Sequence, residues 1–393
     1  MDKKNKNPNV PNLRFSSFTN SYCVYTLGEI LQRVSNPVNI DENKLYYQIG
    51  IRSHSKGIFY KKAEIGKQIG NKKIFWVESN CLILNIVFAW EQAVAKTSQK
   101  EIGMVVSHRF PMYKVLNNSL DYIVDFFKTE KGRQVLQMAS PGGAGRNKTL
   151  NQKFFLNSKV YLPSLKEQLI ISRFIALIEN RIETQIKIID DCISYRNAIV
   201  DYFFQSLSFD WKRVKLSNVL EEYTELHIKD NSIIHATLSK DGIFPKTDRY
   251  DRDFLVKNDD KKYKVTHLND ICYNPANLKF GVITRNTYGD CMISPIYITF
   301  KIKNDYLPKF IELLVTRKHF ILKARKYEQG TVYERMAVNS SDLLSMNILI
   351  PSLTIQKRIA DIINTIDIKI SNEQKLLNLY KAQKGYLLKN MFI

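Results

Sequence analysis

The sequence predicts an α+β protein assembled from two diverged copies of one unit, each copy a mixed globular segment followed by a long helix. Two observations lead there. The segment YLPSLKEQLIISRFIALIENRI (161–182) aligns with LIPSLTIQKRIADIINTIDIKI (349–370) at a constant offset of 188, pairing Pro163 with Pro351, Ser164 with Ser352, Leu165 with Leu353 and Gln168 with Gln356. Looser matches extend upstream at offsets of 187 to 189: Leu27 with Leu216, Asn85 with Asn274, Ser107 with Ser294 and Gly142 with Gly330. The second observation is periodicity. Ile171, Ile175, Ile178, Ile182, Ile186 and Ile189 stand three or four apart, and the offset carries them to Ile359, Ile363, Ile366, Ile370, Gln374 and Leu377. At 393 residues the chain is long enough for two or three domains, and its 44% hydrophobic and 25% charged side chains are the composition of a folded protein.

In chain order, the Asn- and Lys-rich start is an unpacked tail to about Asn12, with LRF at 13–15 able to dock. LYYQIGI (45–51), KIFWV (73–77) and MVVSHRFPMYKV (104–115) have strand composition, whereas SLDYIVDFFKTEKGRQVLQM (119–138) keeps a helical apolar period. FFLNSKVYL (154–162) reads as strand-like. Pro163 then opens a helix, with Ser164 as N-cap and Glu167 closing a capping box; Ile355 takes the Glu position in the second copy. The second half repeats the scheme, with SIIHATL (232–238), DICYN (270–274) and MISPIYITFKI (292–302) as strands and PKFIELLVTRKHFILKA (308–324) as helix. Neither long helical run contains Pro, so helices from about 164 to 206 and 353 to 391 would each reach about 60 Å at 1.5 Å per residue. Apolar stripes of that length need covering. Either the two helices pack antiparallel in a pseudo-two-fold arrangement, or each lies on its own globular segment. The chain thus divides into 1–162 (with the tail 1–12), 163–208, 209–350 and 351–393.

Lys plus Arg number 59 against 38 Asp plus Glu, and the net charge of +21 points to a polyanionic partner. The excess is localised. Residues 1–162 carry 24 basic and 11 acidic side chains and residues 209–350 carry 23 and 18, while 163–208 carry 5 and 6. Two basic globular modules with a stiff helical spacer suit double-stranded DNA touched at two places. Single-stranded RNA fits less well, because neither an RNP-like aromatic pair nor a GXXG clamp in KH context is evident. The longest apolar run, CLILNIVFAW (81–90), is well short of the roughly 20 residues that span a bilayer, and the N-terminus is polar, so a cytoplasmic protein without membrane contact is expected. The five cysteines are scattered without a CxxC, which suits plain thiols better than disulfides or a zinc site.

Candidate DNA contacts fall in matching loops. IGIRSHSKGIF (49–59) breaks from a strand into a polar, basic loop with Arg52, Ser53, His54, Ser55 and Lys56, able to reach base edges and phosphates; an ordinary solvated hairpin is the alternative. Its counterpart SKDGIFPKTDRY (239–250) shares the string GIF and offers Ser239, Lys240, Lys246 and Arg249. PGGAGRNKT (141–149) nearly matches the phosphate-cradling GxxxxGK[ST] pattern, but Asn147 stands where the second glycine belongs, and the second copy, QGTVYER (329–335), keeps neither Lys nor Thr. A P-loop-like nucleotide-binding enzyme is therefore the competing reading. The preferred one is a repeated turn near DNA, with Arg146, Asn147 and Lys148 in one copy and Tyr333 and Arg335 in the other. YNPAN (273–277) is similar to the [DN]PP[YF] element of amino-methyltransferases, but Ala276 and Asn277 replace its second Pro and its aromatic residue. An Asn shared by two equivalent turns explains it better, with Asn277 and Lys279 as further DNA contacts. The six histidines show no metal-ligand or catalytic spacing.

Together these features resemble the specificity subunit of type I restriction-modification systems. The resemblance rests on the two helix starts LPSLKEQ and IPSLTIQ, on VPNLRFSSF (10–18) with TLGEI (26–30), and on LSKDGIFPKTDRY with YKVTHLNDICYNPANLKFGVITRN and ISPIYITF; it covers essentially the whole chain. It implies two target-recognition domains, each reading half of a bipartite DNA site, separated by an antiparallel pair of conserved helices. It also implies no catalytic residue, no metal and no cofactor on this chain. S-adenosylmethionine, ATP and Mg would belong to two modification (methyltransferase) subunits docked on the helices and to two restriction (translocase/endonuclease) subunits. Thr354 and Ile355 depart from the Lys and Glu of the first helix start, so the two docking surfaces would differ.

Overall fold

A computed structural model of the chain describes residues 9–142, 148–205, 211–228, 233–246, 262–328 and 337–393. Two compact units emerge, one comprising Met1–Ile188 and Glu373–Ile393, the other Ile189–Asn372. Each is built to the same plan. In the first unit Cys23–Thr26 pairs antiparallel with Lys159–Leu162, and a four-stranded sheet runs in the order Leu31–Val34, Met112–Val115, Leu82–Leu84, Val94–Lys96. In the second, Lys212–Lys215 pairs with Asn347–Ile350, and the corresponding sheet runs Leu220–Tyr223, Ile298–Ile302, Ile271–Tyr273, Ile283–Arg285. Helices Leu120–Lys128, Glu130–Met138 and Gln152–Asn157 have counterparts in Pro308–Thr316, Lys318–Ala324 and Ser340–Ser345. The repeat read from the helix starts therefore runs through both globular parts.

Some elements differ from the sequence reading. LYYQIGI is two short strands, Leu45–Tyr46 and Ile49–Ile51, in different strand pairs. FFLN is not strand: Gln152–Asn157 is helical, because the Asn151 side chain caps it by accepting from the Lys153 and Phe154 amides, and the strand starts only at Lys159. SKDGIF is not an open loop but the tip of a tight hairpin, Ile234–Ser239 against Gly242–Pro245.

The long helices span Leu165–Gln205 and Leu353–Asn390. Ser164 Oγ accepts from the Glu167 amide at 3.4 Å, as an N-cap should. The Glu167 carboxylate, expected to close a capping box, instead takes two hydrogen bonds of 2.8 Å from Arg14, so a charged fork from the docked LRF segment outcompetes a backbone amide. The repeated Gln has a shared structural task. Gln168 accepts from the Ser119 amide at 2.9 Å and donates to the Pro163 carbonyl at 2.9 Å; Gln356 accepts from the Leu307 amide and donates to the Pro351 carbonyl, both at 3.0 Å. Each buried Gln thus ties the start of a long helix to the start of the preceding globular helix.

Within the first unit the two long helices run antiparallel: Glu179 meets Lys384, Arg181 lies over Tyr380 and Gln185 meets Glu373, one number rising as the other falls. In the second unit Arg196 meets Asp367. The offset of 188 maps Glu179 onto Asp367, Arg196 onto Lys384 and Gln185 onto Glu373, so each ion pair is repeated and the Gln185–Glu373 pair joins a residue to its own equivalent. That is the mark of isologous pairing. The expected stripe slips at its middle: Gln185 is buried while Ile186 is 40% exposed, because a strict heptad spacing drifts around a 3.6-residue helix.

Each core also takes in the far end of a helix that started elsewhere. The first core gathers Ile171, Ile175 and Ile178 with Leu387, Met391 and Phe392, and the second gathers Ile359 and Ile363 with Val200 and Phe204. Phe392 stacks on Tyr122 with ring centroids 4.9 Å apart, and its equivalent Phe204 stacks on Phe310 at 5.4 Å. Both expected packings of the helices therefore coexist. Among the described residues no helix is long and apolar enough to cross a membrane.

Candidate nucleic-acid interface

In both units a hairpin and an Asn-led turn stand side by side. Asn85 ends one core strand, and its side chain accepts from the Val87 amide at 3.1 Å; Asn274 ends the equivalent strand and accepts from Ala276 at 3.1 Å. A short 3₁₀ turn follows in each, Ala89–Glu91 and Pro275–Phe280, closed by a left-handed residue, Gln92 at φ 58° and Gly281 at φ 82°. The YNPAN segment is thus half of a duplicated turn, with Tyr273 buried against Phe300 rather than presented to a base.

The hairpins carry the shared GIF string. In the first unit Ile49–Ile51 pairs with Ile58–Tyr60 around a six-residue loop. His54 and Ser55 both sit at positive φ, 58° and 54°, a costly conformation for residues with a Cβ. It is held because the His54 amide donates to the Glu91 carbonyl at 2.7 Å and Ser55 to Gln92 at 3.0 Å, pinning the loop to the turn. Arg52, His54 and Lys56 are exposed, Ser53 is half-buried, and Ser55 Oγ is buried without a partner among the described residues. The Lys148 ammonium lies 5.3 Å from the centroid of the Trp90 ring on the same turn, which also carries exposed Phe88, while Arg52 lies over Phe59 of its own hairpin. In the second unit the tip is a two-residue turn, Lys240 and Asp241, and Leu238 and Ile243 of the hairpin pack with Val282 beside the Asn turn. Lys240 and Lys279 are exposed, the latter 5.3 Å over the ring of Phe280, which is itself 66% exposed. Lys246 extends the hairpin, its amide bonded to the His235 carbonyl at 2.9 Å. The Ser239 hydroxyl is engaged in the turn, bonded to the Asp241 amide and the Gly242 carbonyl, and Asn277 is half-buried with its backbone closing the 3₁₀ turn. Arg146, Asn147, Arg249, Tyr333 and Arg335 lie outside the described residues.

Sequence reasoning missed the aromatic members: Trp90 and Phe280, each under a lysine, and exposed Phe88 and Phe244 on the same turn and hairpin. The signal available was the Asn85–Asn274 match with aromatic residues three to six positions on. Burial pushes the Cys81 and Cys291 thiols up to about 11 and Cys272 up to about 12, so these groups stay protonated and unreactive at neutral pH.

No family model and no curated protein matches the sequence. Solved structures do resemble the fold. The S subunit of the type I restriction-modification system from M. genitalium superposes with a TM-score of 0.56 at 12% identity, over 98% of this chain and 99% of that one. The chain has the fold of a type I S subunit. A second match is to a chain from a structure of complex assembly and conformational transition of the type I R-M system, with a TM-score of 0.59 at 13% identity over 94% of this chain and 97% of that chain. The HsdS subunit of Thermoanaerobacter tengcongensis aligns at 14% identity over 94% of this chain and 96% of that one, with a TM-score of 0.49. In the S-subunit fold, near-complete coverage of both chains means that both globular parts and both long helices are matched.

Proposed function

We propose that this chain is a non-catalytic DNA specificity subunit of a type I restriction-modification complex. Target-recognition domains at 1–162 and 209–350 each read one half of a bipartite duplex site, and the helices at 163–208 and 351–393 dock two modification subunits, with two restriction subunits completing the assembly in the cytoplasm. The observation that carries this reading is the duplicated hairpin-plus-turn on an S-subunit fold, each copy carrying exposed cations (Arg52 and Lys56; Lys240 and Lys279) and a lysine seated on an aromatic ring of the turn, Lys148 on Trp90 and Lys279 on Phe280. Such tips can contact phosphates and base edges while the sheet behind them stays fixed. The nucleotide-binding alternative has no support in the loop it needs: Asn147 replaces the glycine that would wrap a phosphate, and Lys148 lies over Trp90.

The test is methylome sequencing of a host expressing the chain with its modification subunit. A methylated two-part motif that depends on this chain supports the proposal, and exchange of residues 209–350 for the same segment of a relative should change one half only. Methyl transfer by the isolated chain, or a motif indifferent to that exchange, would refute it.

A further inference from the structure

In the second unit a cavity of about 690 Å³ opens between the end of the first long helix, the Lys212–Lys215 and Asn347–Ile350 strand pair and the Lys318–Ala324 helix. Its walls are apolar, with Phe204, Leu314, Phe320, Ile348 and Leu349. Among the described residues its charges are one-sided: Arg213, Arg317, Lys318, His319 and Lys323 face a single acid, Asp201. Arg317 is the unusual member. Its side chain is only 13% exposed and its guanidinium carbon sits 4.1 Å above the centroid of the Phe204 ring. Among the described residues its one carboxylate neighbour, Asp201, is 3.6 Å away and 60% exposed, and Arg317 Nε is buried with no partner. Burial lowers its pKa, opposed only in part by Asp201. A desolvated cation with an idle donor is costly unless something else completes its hydrogen bonds.

The internal repeat shows that the fold does not need this arrangement. Phe204 and Phe310 correspond to Phe392 and Tyr122, and that stacked pair is kept in both units. Arg317 corresponds to Thr129, whose hydroxyl is bonded to the Phe126 carbonyl at 2.7 Å and to the Gly132 amide at 3.1 Å. Lys318 and Lys323 correspond to Glu130 and Val135. His319 corresponds to Lys131, but the scaffold recurs without the cations at 317, 318 and 323, so these three answer to something outside it.

We propose that this cavity binds an acidic segment of a partner protein, with one carboxylate on the Arg317 fork and a bulky apolar side chain against Phe204, Phe320 and Leu349. A planar carboxylate matches the guanidinium fork in a way that a rounder, fully solvated anion does not. The apolar walls call for a hydrophobic body next to that charge, which a duplex phosphate lacks. Exposed Arg213 and Lys318 have no ion-pair partner among the described residues and would steer a second acidic group on the same segment.

Trp211 lines the cavity and serves as reporter once Trp76→Phe and Trp90→Phe remove the other two tryptophans of the chain. The full-length protein is titrated with the acetylated, amidated pentapeptide EFDLE, with EGDGE, with KFKLK and with AMP, following tryptophan emission. EFDLE should bind saturably and more tightly than the other three. Arg317→Gln should weaken it roughly ten- to a hundredfold, the loss expected for a charge-assisted hydrogen bond. Asp201→Asn should tighten it, because it removes the competing carboxylate; a misfolded variant cannot give that result. Absence of saturation by EFDLE up to about 5 mM, near the weakest affinity worth the name, equal binding of AMP or KFKLK, or loss of binding in Asp201→Asn would overturn the proposal.

Discussion

Phe392 is the next-to-last residue, yet it is only 2% exposed and stacks on Tyr122 in the first core. Replacing it with Ala tests whether the C-terminal end of the second long helix is an integral part of that core. A buried aromatic side chain removes about 150–250 Å² from water, which at about 25 cal/mol per Å² is an upper bound of about 4–6 kcal/mol. Measured Phe→Ala costs run about 3–5 kcal/mol. Phe392 lies just past the helix end at Asn390, where the backbone can partly collapse, so the low end, about 3 kcal/mol, applies, and that is roughly a 150-fold change in a local opening equilibrium. Hydrogen exchange read by mass spectrometry should show Leu120–Lys128 exchanging faster by that order in Phe392→Ala, with Pro308–Thr316 unchanged. Phe204→Ala should do the reverse, because Phe204 makes the equivalent stack on Phe310. If Phe392→Ala left Leu120–Lys128 within threefold of the parent, or loosened both helices equally, the reciprocal use of the helix ends would be wrong.

Gln168→Leu should cost about 1–3 kcal/mol, since it leaves the buried Ser119 amide without its acceptor, and Gln356→Leu should cost less, because the Leu307 amide is only half-buried; thermal unfolding checks both. His267 is held above its usual pKa by hydrogen bonds to Glu225 and Asp290, against a smaller opposing effect of burial. A raised folded value means that its stabilisation is complete below the unfolded pKa near 6.5 and is lost as pH rises through the folded value. His267→Gln should therefore lower the melting temperature at pH 5.5 and leave it nearly unchanged at pH 8.5; an equal loss at both would sink the assignment. Arg52→Ala, tested for binding to the cognate duplex, should cost about 1–3 kcal/mol and relax one base position if Arg52 reads a base edge, or weaken all sequences alike if it holds a phosphate. Unchanged affinity would remove the 52–57 loop from the interface.

The parts of the fold that were legible in the sequence are those set by long, uninterrupted local patterns. A 3.6-residue apolar period without Pro over some forty positions leaves little but a helix, and Leu165–Gln205 and Leu353–Asn390 follow it closely. Where a local rule met a distant partner, the partner won. Glu167 satisfies a capping box by sequence, but Arg14, far away in the chain, brings a stronger donor. Within FFLN the aromatic pair suggested a strand, and the cap from Asn151 decided for helix. At the candidate interface the GIF hairpins could be found from composition, whereas the seat of Lys148 on Trp90 joins residues that share no local pattern and exists only once the sheet has brought the turn beside the 148–150 segment.

Under the proposed function, the two copies differ in a way that bears on what they read. Positions that build the frame recur: Gln168 and Gln356 bridge equivalent amides, Asn85 and Asn274 lead equivalent turns, and Glu179–Lys384 repeats as Asp367–Arg196. Tip positions do not recur. The first hairpin has a six-residue loop with Arg52, His54 and Lys56 around a strained pair at positive φ, and the second has the two-residue turn Lys240–Asp241; on the neighbouring turn Trp90 is replaced by Lys279. Base readout depends on donors and acceptors placed at fixed positions in a groove, so tips of different length and chemistry on the same frame present different patterns. Under the proposed function the two half-sites must therefore differ, and the methylated motif should not be an inverted repeat. An inverted-repeat motif in the methylome would mean that these tips read the same bases by different chemistry, and it would move recognition away from the hairpin loops.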